Sequence, residues 1–125
     1  MKKLIQILLI VCGALLLNSC YYDTLVEIPI PEIPTDPDDP GFVEVKYGND
    51  IQPIWDAKCD QCHNANHALD LRVDISYNEL VPEYVIAGNA EGSRLYLKLE
   101  TSHGGASSTD LTKIKAWIDQ GAKDN

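Results

Sequence analysis

Hydrophobic and polar positions divide the 125-residue chain into three parts. From Leu4 to Leu17 apolar residues follow one another, broken only by Gln6 and a few small residues. Residues 21–43, YYDTLVEIPIPEIPTDPDDPGFV, hold five of the seven prolines and many acids. Proline fixes φ and removes a backbone donor, so this stretch predicts an extended, polyproline-like spacer and no helix. Beyond it, apolar residues recur at helical spacing. Asn49 or Asp50 is placed to cap a first helix through IQPIWDAKC, with Ile51, Ile54 and Trp55 on one face. Pro53 is tolerated there because first-turn N–H groups have no intrahelical partner. DLRVDISYNELV predicts a short helix after Asp74, ending near Pro82. GNAEGSRLYLKLE predicts a turn at Gly88-Asn89 and a helix from about Ala90 to Leu99, with Leu95 and Leu99 on its apolar side. HGGASS predicts a flexible loop, since adjacent glycines permit unusual φ. The last helix has the clearest signals: Ser107 or Thr109 at its N-cap, Asp110 at its positive end, Gly121 as its stop, and a stripe of Leu111, Ile114, Trp117 and Ile118. No segment predicts a strand, so the expected fold class is all-α.

Composition changes this picture first at the N-terminus. Lys2 and Lys3, the apolar run and Asn18-Ser19-Cys20 have the layout of a secretory signal peptide, and the run is shorter than the roughly 20 residues that span a bilayer. Leu17-Asn18-Ser19-Cys20 resembles the lipobox of bacterial lipoproteins, in which the cysteine is lipidated and becomes the first residue. The organisation expected is a signal peptide at 1–19, a lipidated Pro/Asp-rich linker at 20–43 and a folded domain at 44–125. Such a chain is exported and anchored by Cys20. The absence of an aspartate directly after Cys20 favours the outer membrane, with its periplasmic face ahead of the cell surface. Removing Lys2 and Lys3 from the ten basic residues leaves eight against 19 acids, a net charge of −11. That charge repels nucleic acid and anionic membrane surfaces, and suits a partner with a basic docking face.

Cysteine usage is the second change. Cys12 leaves with the leader and Cys20 carries lipid, so Cys59 and Cys62 remain, in a disulfide-permissive compartment. A domain of this size has a thin core and is commonly held by a disulfide, a metal or a large cofactor. The sequence Cys59-Asp60-Gln61-Cys62-His63 is C-x-x-C-H, the attachment pattern of c-type haem. Two thiols two residues apart reach the two vinyl groups on adjacent edges of one ring and form thioethers. The histidine that follows swings beneath the ring to bind iron. Two other chemistries compete. Zinc would take Cys59, Cys62, His63 or His67, and His103, although a second clear ligand pair is missing. A thioredoxin-like Cys59–Cys62 disulfide would need a βαβ pattern and leaves His63 without a role. Nothing in the chain suggests a nucleophile, base and orienting group for hydrolysis.

YGNDIQPIWDAKCDQCH, ALDLRVDISYNELV, SRLYLKLE and KIKAWIDQGAKDN together resemble the small monohaem cytochrome c domain of exported bacterial proteins, class I-like and often called planctomycete-type. The resemblance covers nearly all of residues 47–125. It implies one covalent haem c per chain between an N-terminal and a C-terminal helix, and a role in single-electron transfer to redox partner proteins. By position it makes Cys59 and Cys62 the thioether links and His63 the proximal ligand. Trp55 and Trp117 are expected against the haem, or simply as core aromatics joining the two helices. Arg72 and Lys98 are candidates for pairing with its propionates. One departure matters. Such domains often place a methionine on the distal side of the iron, yet the sole methionine here is Met1. His103 holds about the equivalent place in Thr101-Ser102-His103-Gly104-Gly105. The expected coordination is therefore His63 with His103, and His67 is expected to be a bystander. If His103 is instead a solvated loop residue, the sixth position is open, and the domain becomes a ligand-binding sensor or has peroxidase-like activity.

Overall fold

The computed structural model describes residues 32–125 together with Lys3. Residues 1–2 and 4–31 lie outside the described residues, and with them the expected signal peptide and the lipid anchor at Cys20. The described residues contain four α-helices and no strand. α1 is Gln52–Lys58, α2 Ser76–Leu80, α3 Arg94–Glu100 and α4 Ser108–Asp119. The helical character expected from the periodicity is present; three boundaries differ, each for a physical reason.

The first helix begins earlier than expected, with a widened π-helical turn at Tyr47–Ile51. In an uninterrupted α-helix the Pro53 ring would strike the carbonyl four residues back. The wider turn sits just ahead of that position. Asp50 does not cap from outside the helix; its carboxylate accepts the Lys46 N–H at 2.9 Å. α3 begins four residues later than expected. Asn89 Oδ1 accepts the Gly92 N–H at 2.8 Å, and the Ser93 N–H donates to the Ala90 carbonyl at 2.9 Å, so residues 89–93 form a turn rather than helix. Two bonds to the end of α4 hold that turn: Gly88 N–H to the Ile118 carbonyl and Ala90 N–H to Asp119 Oδ1, both 2.8 Å. HGGASS is not wholly irregular, because His103–Gly105 makes one 3₁₀ turn.

α4 ends as its sequence indicates. Ser107 and Asp110 form a reciprocal capping box, and Gly121 leaves the helix at φ +105°. Ile114, Trp117 and Ile118 are fully buried, together with Trp55, Ile51, Leu80 and Val85. Leu111 is only half-buried. Tyr47, Tyr77 and Trp117 form an aromatic cluster behind α1, with ring centroids 5.2 Å (Tyr47–Tyr77) and 5.1 Å (Tyr47–Trp117) apart. Beneath it runs a polar chain. The Tyr47 hydroxyl donates to Ser76 Oγ at 2.6 Å, and Ser76 donates to Gln52 Oε1. Burial pushes the Tyr47 phenol up to about 12.

The two ends of the domain are tied together. Asn125 accepts the Gly48 N–H through its carbonyl at 3.0 Å and the Tyr47 N–H through Oδ1 at 2.9 Å. Gln120 binds the spacer region: its Nε2 donates to the carbonyls of Pro34 and Val43, and its Oε1 accepts the Val45 N–H. Ile33 packs against the core. The last part of the Pro/Asp-rich stretch therefore lies on the domain, beside α4.

Candidate cofactor site

A cavity of about 530 Å³ opens between the end of α1, the loop 67–71, α3 and the turn at His103. Its apolar walls are Trp55, Leu69, Leu71, Leu95 and Leu99. Cys59, Cys62, His63, His67 and His103 all border it, so every cysteine and histidine of the domain meets one hollow. No acidic side chain lines it, although the chain carries 19 acids.

The C-x-x-C-H stretch is a tight turn that continues directly from α1. The Cys59 N–H donates to the Trp55 carbonyl at 2.8 Å. The Cys59 carbonyl then accepts from the N–H groups of Cys62 at 3.1 Å and His63 at 2.8 Å. Both thiols are free; Cys59 is buried and Cys62 exposed. Burial pushes the Cys59 thiol above its usual range, with nearby Lys58 acting against it. A redox-active C-x-x-C has the opposite environment, a helix N-terminus that lowers the pKa. Here Cys59 follows a helix C-terminus.

The two neighbouring histidines are held in opposite ways. His63 Nδ1 lies 3.2 Å from the Leu69 carbonyl. A carbonyl only accepts, so this contact places the proton on Nδ1 and leaves the Nε2 lone pair free. His67 Nδ1 accepts the Leu69 N–H at 3.1 Å, which places its proton on Nε2. The rings are 4.3 Å apart. One therefore offers a lone pair and the other an N–H.

His103 lies near His63, with ring centroids 6.1 Å apart and planes at 77°. Its turn is built from left-handed residues: Ser102 at φ +62°, Gly104 at +70° and Gly105 at +68°. Two glycines make this backbone accessible, and Ser102 adopts it at a steric cost. Lys58 anchors the turn. Its Nζ donates to the Gly105 carbonyl at 3.4 Å and to the Asp110 carboxylate. Burial raises the Asp110 carboxyl, but bonds from Lys58 and Ser107 together outweigh it and hold the group below its usual range.

Trp55 is on the cavity wall, whereas Trp117 belongs to the aromatic cluster behind it. Trp55 Nε1 is buried with no hydrogen-bond partner; it favours ionisation of the Tyr47 phenol without reaching bonding geometry. Arg72 is turned away, bound to Asp70 by three hydrogen bonds of 2.7–3.2 Å. Lys98 borders the cavity, and so does Arg94, which sequence reasoning passed over. Its signal was there, four residues before Lys98 on a helix. Among the described residues no three His, Cys, Asp or Glu side chains converge to hold a metal ion, so the four-ligand zinc set is not assembled. Comparison with known protein families, with curated proteins and with solved structures finds no match.

Proposed function

We propose that this chain is an exported, lipid-anchored monohaem c-type cytochrome that passes single electrons. Cys59 and Cys62 would hold the haem as thioethers, and His63 and His103 would supply the nitrogen ligands to its iron. The observation that carries this reading is that the C-x-x-C-H turn and His103 border the same largely apolar cavity. The cavity volume lies within the roughly 300–1,000 Å³ of ligand sites. The Leu69 carbonyl gives His63 the second-shell bond that fixes the tautomer and orientation of a metal-bound imidazole. His67 has the wrong tautomer for a ligand. Zinc in a structural site needs four protein ligands, while haem iron needs only one or two from the protein. That difference favours haem for a site where no three converge.

When bound, haem supplies a one-electron iron couple. The chain's own residues do the rest. Trp55, Leu71, Leu95 and Leu99 make the cavity apolar and would keep water from a bound group, and Leu69 holds the proton on His63 Nδ1. Histidine in place of methionine gives a comparatively low reduction potential.

A second reading has its own observation. Among the described residues His103 makes no side-chain hydrogen bond to orient it, and it is exposed. With His103 unbound, the sixth position is open, as in a ligand-binding sensor. Carbon monoxide separates the two. The electron carrier keeps its ferrous visible spectrum under carbon monoxide; a rapid shift of the wild-type spectrum would contradict it.

A further inference from the structure

Three cations border the cavity: Lys58, Arg94 and Lys98. They differ in what already holds them. Lys58 is committed to Asp110 and the Gly105 carbonyl. Lys98 makes no ion pair and no side-chain hydrogen bond among the described residues. Arg94 lies 3.3 Å from Glu83, with both side chains about 70% exposed (68% and 71%), and stacks over the Tyr84 ring at 5.0 Å. Such an exposed pair contributes little and exchanges readily for a better partner. Arg94 and Lys98 are four residues apart on α3, hence neighbours on one helix face, with β-carbons roughly 5–6 Å apart. Leu95 and Leu99, one residue on from each, are buried beside them on the cavity wall. An acidic chain thus places two weakly engaged cations at the rim of an apolar hollow that contains no acid.

We infer that Arg94 and Lys98 form a clamp for two carboxylates carried on the edge of a flat, otherwise apolar ligand seated in this cavity. The clamp rests on the haem reading, under which those carboxylates are the two propionates. Leu95 and Leu99 meet the ring while the residue before each meets its charged edge. Arg94 trades its exposed bond to Glu83 for a propionate, and Lys98 gains its first partner. The pairing also offsets the repulsion between a dianionic edge and the surrounding acids. Arg72, bound to Asp70, takes no part.

The test uses the full-length protein isolated with haem attached, as wild type and as Arg94→Gln, Lys98→Gln and Arg72→Gln. Arg94 and Lys98 are exposed, so the glutamine variants keep the fold, which circular dichroism verifies. Resonance Raman spectroscopy reads the propionate-bending bands. These bands shift in Arg94→Gln and Lys98→Gln, stay fixed in Arg72→Gln, and return towards wild type in Arg94→Lys and Lys98→Arg. Bands that stay fixed in both cavity variants overturn the clamp while leaving the cytochrome reading intact. An equal shift in Arg72→Gln overturns it too, since it would reflect general electrostatics rather than contact. A protein that carries no covalent haem overturns the cytochrome reading and the clamp together.

Discussion

At the scale of single residues, the Leu69 peptide sorts the two nearest histidines. Its carbonyl faces His63 Nδ1 and its N–H faces His67 Nδ1, so the same residue leaves one ring with a free lone pair and the other with an N–H. His63→Ala is expected to abolish low-spin iron coordination, whereas His67→Ala leaves the visible spectrum of the holoprotein unchanged. His103→Ala is expected to convert a carbon monoxide-insensitive ferrous spectrum into one that shifts on exposure to the gas. Much of this was readable from the sequence, because C-x-x-C-H spacing is short-range chemistry and the lack of a usable methionine points to His103. The tautomers were not, since they depend on a backbone group six residues from His63 and two from His67. Arg72 looked as suitable as any cation until its ion pair with Asp70 was seen, and Arg94 was passed over although it stands four residues before Lys98 on one helix.

At the scale of elements, α1, the His103 turn and α4 meet at one ion pair. Lys58, the last residue of α1, reaches both Asp110 and the Gly105 carbonyl, and Asp110 also closes the capping box of α4. Loss of an N-cap side chain costs about 0.5–2 kcal/mol, and Ser107→Ala is expected to fall in that range in chemical denaturation. The pH dependence has a definite sign. The folded pKa of Asp110 is lowered, so its contribution is present above the unfolded value of about 3.9 and is lost as pH falls through the folded value. Asp110→Asn is therefore expected to flatten part of the stability loss below about pH 4, measured as thermal midpoint against pH. Helix existence followed from hydrophobic spacing, and α4 also declared its ends through Ser107, Asp110 and Gly121. The starts of the first two long helical segments did not show. One is set by the Pro53 ring acting on the turn before it. The other is set by hydrogen bonds from residues 88 and 90 to the distant end of α4, which no local pattern encodes.

At the scale of the whole molecule, one buried core borders a cavity. Ile114 is fully buried in that core, and Ile114→Ala is expected to destabilise by about 2–5 kcal/mol. Trp55, Leu71, Leu95 and Leu99 belong to the same core and also line the hollow. A ligand that fills it adds apolar burial that the polypeptide alone lacks. The Cys59→Ala/Cys62→Ala protein, unable to hold haem covalently, is expected to unfold at a lower temperature than the holoprotein. The helical, strand-free character was legible because it follows from periodicity, and the adjacency of Cys59, Cys62 and His63 because it follows from the motif. The packing of residues 33–34 onto the domain was not, since a proline-rich stretch reads as a free spacer, while Gln120 binds the Pro34 carbonyl and Ile33 packs on the core. The most direct measurement is haem retention. The protein is isolated from a host that attaches c-type haem, denatured, and extracted with acidified acetone. The expected result is that one haem stays with the polypeptide and is lost in Cys59→Ala/Cys62→Ala; a colourless chain, or haem that leaves with the solvent, would contradict the central claim.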